Sequence, residues 1–120
     1  MSTCKANNFQ VGQSVTATNN FVLYQPSTPD GTVRLGNGNA GSVTDLVTLT
    51  SAGRLGVGTV SPSSGSLLDV QSTSAGIRFP NMTTVQKTAI TPSAGTVVFD
   101  TTLAKLCVYS GSAWQTITSV

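Results

Sequence analysis

The chain has 120 residues and a mass of 12.3 kDa, enough for one domain or for one subunit of an assembly whose core is shared between copies. Charged residues make up only 8% of it, six basic against four acidic, with no His and no Glu. That excludes imidazole bases, Ser–His and Cys–His nucleophile pairs and imidazole metal ligands. The basic residues Lys5, Arg34, Arg54, Arg78, Lys87 and Lys105 are spread evenly, which leaves no footprint for nucleic acid.

The four acids, Asp30, Asp45, Asp69 and Asp100, are scattered one per stretch, so no paired-carboxylate site is expected. The composition therefore predicts a protein that is not an enzyme and that needs no cofactor and no metal. Ser and Thr together supply 34 residues and Leu, Ile, Val and Phe 30, a neutral, hydroxyl-rich mixture that folds as strands. Cys4 and Cys107 are too few for a disulfide framework. Cys107, in the apolar run Leu106–Tyr109, reads as a small buried hydrophobe, and Cys4 as a free thiol. The N-terminus has no apolar run of the secretory kind and no segment has the length of a membrane span, so folding in a reducing cytoplasm and no membrane partner are expected.

Turn residues recur at short intervals, which predicts an all-β chain of short antiparallel strands and hairpins. Residues 1–19 are polar, with Phe9, Val11 and Val15 the only large apolar groups, and read as an extended N-terminal arm and possible anchor. Residues 20–75 form a β-rich region. Phe21–Tyr24 is a strand and Pro29-Asp30-Gly31 a turn in which Asp30 bonds its own backbone. Thr32–Leu35 returns as a strand, and Gly36–Gly41 reads as a flexible turn. Val43–Thr50 is strand-like, and Leu55, Val57 and Thr59 then alternate with Gly56 and Gly58. Glycine at period two predicts that a core neighbour or a partner subunit approaches this strand closely. Residues 61–66 read as a loop and Leu67–Gln71 as a further strand.

Residues 76–120 form a C-terminal module. The only helical opportunity is one short helix near 82–90, with Met82, Val85, Ala89 and Ile90 as its apolar stripe, Thr83 or Thr84 as N-cap and Pro92 as stop. Residues 95–100 and 105–110 then make a hairpin, and Trp114–Thr118 closes the sheet. Trp114 and Tyr109 read as packing or subunit-contact anchors, with a glycan-stacking platform as the alternative.

These runs carry a resemblance. Asn19–Pro26 followed by Asp30–Gly36 resembles segments of structural and tail-fibre proteins of tailed bacteriophages. Leu55-Gly56-Val57-Gly58-Thr59, Ser61-Pro62 and Leu68-Asp69-Val70 are similar to an element of phage fibres and bacterial adhesins. Phe79–Ile90, Gly95–Thr101 and Leu106–Trp114 resemble the C-terminal module of such proteins, with Lys87 where Arg is frequent. The resemblance implies an intertwined homotrimer around a threefold axis, carried on the virion and assembled in the bacterial host cytoplasm. Alternation with small or polar neighbours nominates Phe21, Leu23, Leu55, Val57, Leu68 and Val70 as trimer-core residues. The expected function is a non-enzymatic virion protein, a small capsid decoration or cement protein or a short head fibre. Its partners are then further copies of itself and other virion proteins such as the major capsid protein. The alternative is a tail-fibre-type receptor-binding module for a host surface glycan, with Trp114, Tyr109, Asn37 and Asn39 as its obvious contact groups.

Overall fold

The computed structural model describes residues 7–119, so Cys4 and the first residues of the expected arm lie outside it. The chain divides into two compact units, Met1–Ala75 and Gly76–Val120. Each is built on one sheet, and the protein is mainly β with a single short α-helix among the described residues.

The first unit is a six-stranded sheet in chain order: β1 (Asn8–Val11), β2 (Phe21–Tyr24), β3 (Thr32–Asn39), β4 (Ser42–Thr50), β5 (Leu55–Val57) and β6 (Leu68–Val70). Strands β1 to β5 pair antiparallel, but β6 lies parallel to β5. A purely antiparallel sheet is thus corrected to a mixed one, because the loop after β5 crosses back over the sheet instead of forming a hairpin. Part of the expected arm is also an edge strand. Phe9 and Val11 alternate with polar residues, and Asn8–Val11 pairs in register with Phe21–Tyr24. A 3-10 turn, Ala17–Asn19, leads to the buried Asn20. The Oδ1 of Asn20 accepts from the Ser14 N–H at 2.8 Å, and its Nδ2 donates to the Ser14 carbonyl and to Asn39 Oδ1.

Asp30 behaves as its turn requires, its Oδ1 accepting from the Thr32 N–H at 3.0 Å. The expected flexible turn at Gly36–Gly41 is largely absent, since β3 continues through Asn39. The reason is steric. The β3–β4 pairing shifts by one residue at Leu35/Gly36, and a Cβ on Gly36 would lie 2.3 Å from the Thr44 carbonyl oxygen. Glycine is there to admit the neighbouring strand. At Gly56 the close neighbour is the chain's own loop, because a Cβ would meet the Thr59 carbonyl oxygen at 2.5 Å.

The second unit is a four-stranded sheet of order β10-β9-β8-β7, made by β7 (Asn81–Met82), β8 (Val97–Asp100), β9 (Lys105–Tyr109) and β10 (Trp114–Thr116). Strands β8, β9 and β10 form an antiparallel meander, while β7 and β8 are parallel and joined through helix α1 (Thr84–Ala89). Thr83 caps the helix in a reciprocal box with Gln86, which satisfies donors that the first turn would otherwise leave open. The expected apolar stripe is not what the helix buries. Val85 is 77% exposed, and Lys87 is the buried residue.

Candidate functional site

Successive residues of a strand point to opposite faces, and directly paired residues on neighbouring strands share a face. In the first unit this rule assembles an apolar surface from every strand. Phe9 pairs with Leu23, Leu23 with Leu35, Leu35 with Val47, Val47 with Val57 and Val57 with Val70, one unbroken row across the sheet. A second row on the same face joins Val33, Leu49, Leu55 and Leu68. The six residues nominated from sequence, Phe21, Leu23, Leu55, Val57, Leu68 and Val70, all project from this one face, and each is between 37% and 56% exposed. Phe9, Leu35 and Val47 belong to the same surface and were missed, although the alternation of Phe9 and Val11 marks Phe9, and Leu35 and Val47 join it through strand register.

The other face of that sheet carries a polar network, although the buried Thr48 Oγ1 beside it has no hydrogen-bond partner. Arg34 on β3 reaches Asp45 on β4 at 3.0 Å and pairs with Asp30 at the preceding turn. Its Nε donates to Thr32 Oγ1, and the Tyr24 hydroxyl donates to Asp45. Burial and then the Asp45 carboxylate push the Tyr24 phenol above its usual range. Val22 is the sole fully buried apolar side chain among the described residues of this unit. One buried valine contributes about 1.5–3 kcal/mol, whereas ordering each backbone residue costs about 1–2 kcal/mol. The half-buried side chains add to the valine, but a substantial share of the apolar area on that face stays in water.

The second unit also has two unlike faces. On the helix side lie Val98, Asp100 and Cys107, all buried. Lys87 Nζ sits 2.7 Å from Asp100 Oδ2, with the side chains 5% and 0% exposed. Asp100 is fully bonded: Thr84 Oγ1 donates to its Oδ2 at 2.7 Å, and the Thr102 and Leu103 N–H groups donate to its Oδ1. Burial alone would raise the Asp100 carboxyl, but the Lys87 ammonium and the Thr84 and Leu103 donors outweigh it and hold the group at about 2. The same hydrogen bond to Asp100 outweighs burial for Lys87 and pushes its ammonium above the usual lysine value.

Lys87 also donates to Cys107 Sγ at 3.5 Å, and its Nζ lies 5.6 Å from the centre of the Trp114 ring. Trp114 in turn meets Tyr109 edge-on, 5.4 Å between ring centres. The two residues nominated as anchors are thus half-buried and packed against each other beside the ion pair. The Lys87–Asp100 pair was not foreseen, since its members lie on separate elements and nothing local marks them as partners. The opposite side of this sheet is apolar. Phe99 stands across from Leu106, and with Ile77 and Phe79 they line an open groove of about 260 Å³.

No cluster of His, Cys, Asp or Glu among the described residues has the makeup of a metal site, and none of the described helices is long and apolar enough to cross a membrane. What the two sheets offer is surface for association: a β-rich chain whose interior is small and whose apolar faces are open. Residues 56–120 match the family described as the phage tail like trimerisation region, and the chain belongs to that family. It is a phage tail-like structural protein that associates as a homotrimer. No curated protein matches the chain.

Proposed function

We propose that the chain is a non-enzymatic virion protein, a small homotrimer that decorates or cements the capsid or projects from it as a short head fibre. The observation that supports this most is the pair of apolar sheet faces left open by a chain with so few buried apolar side chains. Association through broad apolar surfaces without charged anchors suits a protein whose attachment is multiplied by three copies per trimer.

Three of the four aromatic and amide groups that the receptor-binding alternative draws on are already engaged. Trp114 and Tyr109 pack on each other, and Asn39 Oδ1 accepts from Asn20. Those commitments favour the decoration reading. The experiment is to measure the solution mass of the protein by light scattering and then to sediment it with purified capsids. A trimer that travels with capsids supports decoration. A trimer that ignores capsids and binds host cells or their surface glycan supports the alternative, and a monomer refutes both.

A further inference from the structure

The family match begins at residue 56, so in the first unit it covers part of β5 and all of β6, while β1 to β4 lie outside it. The apolar row crosses that boundary without interruption. Val70 and Val57, inside the matched segment, stand next to Val47, Leu35, Leu23 and Phe9, outside it. We infer that two further copies of this chain cover the whole of this face, so that β1 to β4 form a self-association interface of their own, additional to the matched segment. The inference rests on the trimeric reading above.

Three observations carry it. First, the row is continuous with a segment whose family trimerises, so a surface that ended at the match boundary would be cut through the middle of a sheet face. Second, neither apolar row contains a charged residue, whereas Arg34 and Asp45 sit on the opposite face. Around a threefold axis a residue near the centre meets its own images, and a charge there would face its like. A neutral apolar face is what copies of one chain can share. Third, the described part of the unit holds a single fully buried apolar side chain, Val22, so an uncovered face would leave the sheet without a core.

The test is cross-linking of the full-length chain. In a Cys4→Ser background, Leu35→Cys and, separately, Leu23→Cys are treated with a short bismaleimide at a concentration too low for random encounter. Asn8→Cys, exposed on the other face of β1, and the parent are the controls. The expected result is a trimeric mass by light scattering before treatment. Afterwards a cross-linked dimer appears on a denaturing gel for Leu35→Cys and Leu23→Cys, up to two of every three chains because a two-armed reagent joins two single-thiol subunits at most, but not for Asn8→Cys or the parent. A trimeric protein in which Leu35→Cys and Leu23→Cys cross-link no more than Asn8→Cys overturns the inference and leaves the trimeric reading standing. A monomeric parent overturns both. Using two positions keeps the outcome decisive if one substitution prevents folding.

Discussion

In the second unit a helix lies over one face of the sheet and delivers a lysine to a buried carboxylate, so one side of the sheet has an interior within a single chain. In the first unit neither face of the sheet carries an α-helix: one side is a polar network around Arg34, and the other is bare and apolar. The two units therefore depend on different things for their stability. The second carries a specific, non-local ionic contact that a lone subunit can make. The first has local hydrogen-bonded pairing and a turn network, and its apolar surface stays open within the single chain.

The comparison can be tested in order of expected effect. Lys87→Met leaves a buried carboxylate without its counter-ion, and loss of one partner of a buried pair costs about 3–5 kcal/mol. Chemical denaturation should show that loss, and adding Asp100→Asn, which is neutral and keeps an acceptor for the Thr102 and Leu103 N–H groups, should return part of it. Leu35→Ala separates a covered face from an open one. If the face is covered by other copies, the substitution costs about 2–5 kcal/mol per subunit, and melting becomes strongly dependent on protein concentration. If the face is open, only the part of Leu35 already covered by its own chain is lost, about 1 kcal/mol, and melting does not depend on protein concentration.

Acid provides a graded version of the first test. The Asp100 carboxyl is held at about 2, below the ordinary 3.8. Its contribution is therefore complete above 3.8, declines as pH falls through that interval and is gone below the folded-state value. Lys87 has the opposite sign: its pKa is raised above 10.5, so its contribution is present below 10.5 and is lost as pH rises beyond it. Denaturation midpoints followed across the acid limb should show a stability loss that flattens in Asp100→Asn. The smallest effect is at the helix cap, where Thr83→Ala should cost about 1 kcal/mol. It should do so in the second unit alone, read from hydrogen exchange of the first-turn amides.

Much of this architecture could be read from residue order. Runs such as Phe21–Tyr24 and Val43–Thr50 are strands because β-branched and aromatic side chains fit a pleated surface. Thr83 and Gln86 announce a helix start through a local bond that needs nothing from elsewhere in the fold. Alternation marks six apolar residues for a trimer core, and the strand register puts them on one face of the sheet. What could not be read depends on distant neighbours. Gly36 looks like turn chemistry until the Thr44 carbonyl is seen against it. The helix looks amphipathic through Val85, yet it buries Lys87 because Asp100, on β8, supplies a counter-ion that the local pattern cannot reveal. Phe9–Val11 is too short to stand out from a polar stretch, and only pairing with β2 makes it a strand.

The neutrality of the apolar rows has a consequence for the conditions under which copies can assemble. Attraction between opposite charges weakens as salt screens it, whereas burial of apolar surface is strengthened by excluded salts such as sulfate and phosphate. Association through this face, as inferred above, should thus hold across wide swings in ionic strength. That tolerance would come from which residues the face omits as much as from those it displays.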